Sequence, residues 1–487
     1  MISLTLPADL LLFGPYQLDI ASRQLQRDGA PVTLPSRHFE LLVLLVTHAG
    51  QVLTKDALIE AAWQGVAVTD NSLEQAISSL RRLLGQPDGA AYIETQARRG
   101  YRFAAEVRRT ERREPLEALD ALLAPHRAWI EGRASLETLE RSQIVHARQV
   151  FERVVQQVPD QASAHVGLAN ACVMQFEMTR SELAPDTAAL ARAADHAREA
   201  CRLDPRYGEA WATLGFVLDR TGHRADALAA SRMATLLEPD NWRHHLRLGY
   251  VSWGEERLRE ARRTLALLPG FPLAHWLAAT VHVARQALDE AERELTAGMT
   301  ADAGQAHRAR FGGVALHWLR GLILLARGDE AGALVEFERE LASEQSGQLY
   351  ARECCANAWY AVGAVRLRQG DREGALAAFD EAIARVPLHP TAHAATAALR
   401  GAGVVDRGVL LAAPAAARLA VPELAMARAV AAALGGRQDD AARIVDEALT
   451  SVGEGSALWL LPLEPLLQVD GSPRWTPALG RLSMRSA

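Results

Sequence analysis

Two stretches far apart in the chain carry the same residues at the same intervals. Trp211, Gly215, Gly222, Ala227, Ala234 and Pro239 are matched by Trp359, Gly363, Gly370, Ala375, Ala382 and Pro387. His317, Gly321, Gly328, Ala333 and Phe337 keep the spacing a third time, and Ala147, Phe151, Val154 and Pro159 keep its second half. The chemistry of the repeated positions says what they build. Gly and Ala let two helices approach closely, a large residue such as Phe337 or Phe379 fills the gap between them, and proline stops the second helix. A unit of this kind buries its apolar face only against its neighbours, so the pattern calls for a stack of helix pairs.

The period resembles the roughly 34 residues of tetratricopeptide repeats. Read this way, repeats begin near residues 128, 162, 208, 242, 272, 314, 356 and 422, with weaker ones at 272, 390 and 422. Insertions fall around Met178–Asp186 and Ala342–Tyr350, the Gly/Ala-rich stretch Arg400–Val421 fits either helix or loop, and an apolar helix over Ala457–Leu467 is expected to cap the end. The resemblance implies a groove lined by the first helix of each pair. Arg243, Tyr250, Trp253, Asn357, Tyr360 and Arg368 fall on exposed positions of those helices and form the expected groove for a protein or peptide partner. Core packing is the alternative for Trp253.

The N-terminal hundred residues follow a different grammar. Phe13, Tyr16 and Leu18, then Leu25, then Val32 and Leu34 read as short strands, with Asp28-Gly29 as a hairpin turn. Phe39, Leu42, Val43 and Val46 give a first helix its buried stripe, ended by Gly50, and Trp63 is expected between helices. Thr69-Asp70-Asn71-Ser72 is a polar helix start, and Ser72 with Gln75 has the form of a capping box. Behind it Leu73, Ile77, Leu80 and Leu84 share one side of a helix, while Asn71, Gln75, Ser78 and Arg82 share the other. Side chains of that second kind can read base edges in a major groove. Tyr92–Thr95 and Gly100–Phe103 then read as a strand pair with Arg98 and Arg99 at its tip.

Leu34–Leu42, Val52–Trp63, Asp70–Arg82 and Arg98–Phe103 together, in that order, resemble the OmpR/PhoB-type winged helix-turn-helix, and the wing is closest to its CadC/HilA-like branch. The resemblance implies a recognition helix in the major groove and a wing at the minor groove or its phosphates, with a homodimer on tandem half-sites of double-stranded DNA. Gln75, Ser78 and Arg82 are the expected base contacts, with Asn71 at their edge. Arg98 and Arg99 belong to the wing with Tyr101, and Arg37, Arg81 and Arg102 are expected on phosphates. Many relatives carry arginines where this helix has Ser78 and Ser79, so the groups contacted differ.

Charge supports that division. The chain of 487 residues has a net charge of −6, yet Asn71–Thr110 holds seven arginines against Glu74, Asp88, Glu94 and Glu106. A local basic patch on an acidic protein favours nucleic acid at one module. Lys55 is the sole lysine and no glycine run surrounds it, which excludes a P-loop. Zinc-helix, nucleophile-elbow and dinucleotide fingerprints are missing too, so no enzyme, metal or cofactor is expected. His244 and His245 point about 100° apart on a helix and do not suit one ion. Cys354-Cys355 reads either as a vicinal redox pair or as two apolar fillers, and Cys172 and Cys201 as core. Four cysteines in so long a chain point to a reducing cytoplasm. Pro7 and Asp9 interrupt the first apolar run, and Leu319–Ala326 is too short to span a bilayer, so no membrane is expected.

The expected architecture is thus an α+β winged helix-turn-helix domain (1–107), a linker (108–127) and an all-α tetratricopeptide-repeat solenoid (128–487). The expected function is DNA-binding transcriptional regulation. The rival reading is a scaffold whose winged helix docks protein, and a mobility shift on DNA separates the two.

Overall fold

The computed structural model describes residues 10–20, 23–63, 70–85, 91–97, 99–110, 116–137, 141–304, 313, 315–346, 349–401, 421–452, 455–469 and 472–487. The chain opens with strands β1 (Leu10–Phe13), β2 (Tyr16–Asp19), β3 (Gln24–Arg27) and β4 (Ala30–Val32). They form an antiparallel meander in which Leu11, Phe13, Tyr16, Leu18 and Leu25 face inward. Asp28 (φ 50°) and Gly29 (φ 79°) make the tight turn between β3 and β4, both left-handed as a two-residue hairpin of matching twist requires.

Helix α1 (Ser36–Thr47), strand β5 (Val52–Leu53), helices α2 (Lys55–Trp63) and α3 (Asp70–Leu84), and the hairpin β6 (Ile93–Gln96) and β7 (Gly100–Phe103) complete the winged unit. Its second sheet runs β5-β7-β6. Phe13, Tyr16, Tyr92 and Phe103 meet in one aromatic cluster that joins the two sheets. Trp63 is buried, as expected of a residue between helices.

The expected linker is structured along most of its length. Arg108–Thr110 forms β8, which pairs antiparallel with β1 and gives that strand a partner on its second edge. Helix α4 begins at Leu116 and runs to Glu137, with Pro125 inside it.

Beyond α4 the chain is a succession of antiparallel helix pairs, the tetratricopeptide-type solenoid. Helix α5 (Arg141–Gln157) pairs with α4, and α6 (Ala162–Thr179) with α7 (Thr187–Leu203). There follow α8 (Gly208–Arg220) with α9 (Arg224–Leu237), α10 (Trp242–Val251) with α11 (Gly254–Leu267), and α12 (Pro272–Ala284) with α13 (Leu288–Gly304). The later pairs are α14 (Leu316–Ala326) with α15 (Glu330–Ala342), and α16 (Ala351–Arg368) with α17 (Arg372–Arg385). Helix α18 (Pro390–Leu399) precedes α19 (Val421–Leu434), α20 (Gln438–Ser451) and α21 (Thr476–Ser486), and most of the ambiguous Arg400–Val421 stretch lies outside the described residues.

The glycines of the repeat do what their spacing implies. A Cβ on Gly321 would lie 2.5 Å from the ring of Phe337, and one on Gly363 would lie 2.5 Å from Phe379. Each pair is therefore a close crossing that only the missing side chain permits.

Two long-range contacts set the course of the solenoid. The insertion after α6 meets the start of α16: Arg180 Nε donates to Glu353 at 2.9 Å, and Tyr350 Oη donates to Glu177 at 2.9 Å. Glu177, buried, also accepts from Arg220 Nε at 2.6 Å, so its charge is paired.

At the other end Ala457–Leu467 is not the expected capping helix. Pro462 and Pro465 remove backbone donors, and the segment folds as turns around a short 3-10 stretch, Leu461–Leu463. It lies inside the stack, with Leu461 and Leu467 fully buried. Helix α21 then folds back onto α11 and α12, where Arg285 Nε donates to Ser486 O at 2.8 Å. Among the described residues no helix is long and apolar enough to cross a membrane.

Candidate nucleic-acid interface

Helix α3 divides as its periodicity requires. Leu73, Ala76, Ile77, Leu80 and Leu84 are buried, while Glu74, Gln75, Ser78 and Arg82 are exposed. The helix already begins at Asp70, so Ser72 sits in its first turn and does not cap it. Its C-terminal end is fixed: Tyr16 Oη donates to Leu84 O at 2.9 Å, and Gly85 leaves the helix at φ 69°. Lys55 Nζ lies 2.7 Å from Glu74 Oε1, which offsets the one acidic charge on this part of the exposed face.

The wing is braced against α3 by the arginine next to the exposed one. Arg81 Nε donates to Ile93 O at 2.8 Å and its Nη2 to Thr95 Oγ1 at 2.7 Å. Its guanidinium lies 5.9 Å from the ring centre of Tyr101, which is itself buried. Across the hairpin, Arg102 Nη2 donates to Glu94 Oε2 at 2.5 Å.

Gly100 makes the crossing of β7 over β5 feasible. Its φ is 134°, and a Cβ there would lie 1.9 Å from Leu53 O. Arg99, at the tip, is exposed. Arg98 and the side chain of Asn71 lie outside the described residues.

The geometry thus separates the other eight of the ten residues assigned to DNA from sequence. Gln75, Ser78, Arg82 and Arg99 present free side-chain surface. Arg81 and Tyr101 are occupied within the domain, and Arg102 is held by Glu94. Arg37 goes elsewhere altogether. It sits on α1, partly buried in a crevice that it shares with Arg133, Glu209 and Glu238 of the repeats. Burial lowers its pKa, and the nearby carboxylates oppose that shift. The same charge that would suit a phosphate is here enclosed beside a like charge, Arg133, as well as the carboxylates of Glu209 and Glu238.

The six groove residues are engaged by the chain itself. Tyr360 Oη donates to Glu464 at 2.6 Å, and Arg368 Nη2 donates to Pro465 O at 2.9 Å. Tyr250 packs on Trp276, whose ring meets Trp459. Trp253 is buried beneath the guanidinium of Arg257, Asn357 Oδ1 lies 3.2 Å from His389, and Arg243 covers the Trp242 ring. The segment from Leu458 to Leu467 therefore occupies part of the space expected for a partner, at Tyr360 and Arg368. No period or motif points to that pairing, because Glu464 and Tyr360 lie 104 residues apart.

The remaining candidates are structural. His244 lies 3.1 Å from Glu238 and His245 lies 2.7 Å from Glu260, so the two rings turn to different partners. Burial pushes the Cys354 thiol well up and the Cys355 thiol up to about 11, which keeps both protonated and unreactive at neutral pH. Among the described residues no group of three or more His, Cys, Asp or Glu is placed to hold a metal ion.

An exposed polar helix face braced by a β-hairpin wing defines a winged helix-turn-helix, and the sequence agrees on its kind. Residues 29–103 belong to the family described as "Transcriptional regulatory protein, C terminal", the OmpR/PhoB-type DNA-binding domain of transcriptional regulators. The chain is similar to the transcriptional activator CadC of Escherichia coli, with 35% identity over 96 residues, 19% of this chain and 19% of CadC. It is also similar to the Klebsiella pneumoniae RstA DNA-binding domain, solved in complex with the RstA box. There the identity is 37% over 20% of this chain and 96% of that one, with a TM-score of 0.18. The helical region is similar to a tetratricopeptide repeat protein from Parabacteroides merdae, at 15% identity over 53% of this chain and 93% of that one, with a TM-score of 0.37. The chain spans about a fifth or less of the length of the curated relatives CadC and HilA.

Proposed function

We propose that this protein is a transcriptional regulator that reads double-stranded DNA with α3 in the major groove and the wing at the minor groove. The observation that carries the reading is the exposed row Gln75, Ser78 and Arg82 on a helix whose other side is wholly buried. An amide, a hydroxyl and a guanidinium are donors and acceptors matched to base edges. Arg99, with Arg98 beside it in sequence, supplies phosphate contacts from the wing. Two copies bind tandem half-sites, and a protein or peptide partner acts on the repeats, where it competes with residues 458–467 for the groove.

The test is selection of bound fragments from genomic DNA, followed by mobility shift at two salt concentrations. A shared sequence motif in duplicate, with affinity falling as salt rises, is the expected result. If no duplex is retained at low salt, the winged helix is a docking module for protein.

A further inference from the structure

We infer that the groove along α6, α8 and α10 is a docking site for an acidic peptide, whose carboxylate is taken by Arg247 and Asn170. The inference rests on the repeats receiving a partner and names that partner's chemistry.

The first observation is a set of polar side chains that have only each other. Asn170, Thr213 and Arg247 come from the first helices of three successive pairs, α6, α8 and α10. Arg247 Nη1 donates to Thr213 Oγ1 at 3.0 Å and its Nη2 to Asn170 Oδ1 at 3.2 Å. Thr213 Oγ1 also donates to Asn170 Oδ1, at 3.4 Å. Among the described residues these three side chains hydrogen-bond only to one another, so every bond from Arg247 goes to a neutral oxygen. A guanidinium and a primary amide carry more N–H groups than these bonds use. All of those groups are donors, so the open positions call for an acceptor. Arg247 and Asn170 are both partly exposed, which puts those positions within reach from the groove.

The second observation is charge. Burial lowers the pKa of Arg247, and Glu209 is the carboxylate that opposes the shift. That carboxylate is shared. Burial alone would raise Glu209, yet Arg133, Arg247, Arg37 and Arg243 hold it at about 2. One carboxylate serving four guanidiniums does not neutralise Arg247. An incoming carboxylate does, and its two oxygens match the planar fork of an arginine.

The third observation is the apolar surface on the same helix faces. Phe216 follows Thr213, and Tyr250 follows Arg247, by three residues, so each ring stands one turn along the same side. Both rings are partly exposed. Phe216 is held by the Arg220 guanidinium, 4.7 Å from its centre, and Tyr250 by Trp276, so neither has to be ordered on binding. A peptide with a carboxylate beside a bulky apolar residue uses the donors and the rings together, whereas inorganic phosphate uses the donors alone. Farther along, the solenoid already holds such a segment of its own. The Glu464 carboxyl meets Tyr360 and Pro465 O meets Arg368, with leucines on either side.

Selection of random peptides on the full chain tests this, with duplex DNA in excess to occupy α3. The peptides are displayed in two forms, one with a free C-terminus and one fused at both ends. The expected peptides carry a carboxylate beside a bulky apolar residue. Recovery from the fused form assigns that carboxylate to an Asp or Glu side chain, and recovery from the free-ended form alone assigns it to a chain terminus. Asn170→Asp then sets a carboxylate against Arg247 from within the chain and keeps the bond between them. It should lower the affinity of a selected peptide by roughly tenfold or more, by fluorescence anisotropy, with a melting temperature equal to or above that of the wild type. Arg247→Gln should lose the same affinity. Equal affinity of the wild type and Asn170→Asp overturns the site, while peptide binding elsewhere leaves the partner reading standing. Selected peptides without a carboxylate overturn it in the same way. Retention of inorganic phosphate in place of any peptide marks a small-anion site and overturns peptide docking. If the wild type retains neither, the inference and the partner reading fail together, and the mobility shift judges DNA binding separately.

Discussion

Helices α1 and α3 carry arginines of identical chemistry to opposite neighbours. Arg82 stands exposed on α3, whereas Arg37 on α1 is partly buried in a crevice lined by Arg133, Glu209 and Glu238. Even adjacent residues diverge: Arg81 is fixed to Ile93 and Thr95, one position before the exposed Arg82. A positive charge on a DNA-binding domain thus says little about DNA until its neighbours are known. The contrast extends to the domains. Among the described residues, the fully buried polar and charged side chains lie in the repeats, where some are paired, as with Glu177 and Arg220.

The largest expected effect probes the wing that Arg81 braces. Gly100→Ala places a Cβ against Leu53 O in a backbone region closed to other residues. It should cost roughly 3 kcal/mol or more and abolish DNA binding, by thermal denaturation and mobility shift. Wild-type stability would show that β7 moves away from β5 freely and that the brace is unimportant.

The buried charges of the repeats give the next effect. Glu464 is fully enclosed, and burial raises its pKa to about 7 from an ordinary 4.5, against the lowering influence of Tyr360. The folded chain then binds this proton more tightly than the unfolded chain does. Stability is fully present below pH 4.5 and falls as pH rises toward 7, by about 3 kcal/mol at roughly 1.4 kcal/mol per pH unit. Glu464→Gln should flatten denaturant midpoints across that window, while the same measurement on Gln75→Ala keeps the slope. Identical slopes in both variants would separate Glu464 from the pH dependence.

Neighbouring arginines sharpen the comparison further. Arg82→Ala or Gln75→Ala should relax sequence preference by about 1–3 kcal/mol at one or two base pairs and leave the melting temperature within a degree or two. Arg81→Ala should do the reverse, lowering stability by about 1–2 kcal/mol through its lost bonds to the wing. An equal loss of preference from both would mean that Arg81 also reads bases. The smallest effect belongs to Arg99→Ala, which should weaken binding to every duplex alike and reduce the salt slope by about one.

Much of this was legible in the residues. The Trp/Gly/Ala/Pro spacing placed helix starts near 162, 208, 242 and 272, where α6, α8, α10 and α12 begin. The i, i+4, i+7 row from Leu73 to Leu84 identified which side of α3 is buried, and Asp28-Gly29 marked its hairpin. These signals are local, because a helix or turn is specified by residues within one or two turns of each other. The apolar run at Ala457–Leu467 departs from the expected helix for a related reason. Hydrophobicity says that a segment is buried, but Pro462 and Pro465 decided against a helix, and the groove decided where it went.

What the residues determined by themselves is therefore the periodicity: a winged unit, then stacked pairs, with the apolar side of each helix assigned. What only the tertiary structure decided is the partner of each polar group. Arg37 comes to share a crevice with Arg133, Glu209 and Glu238 from far along the chain, and Tyr360 meets Glu464 across 104 residues. Such pairs leave no period to read, because their geometry depends on how the whole solenoid curves back on itself and on the DNA-binding domain.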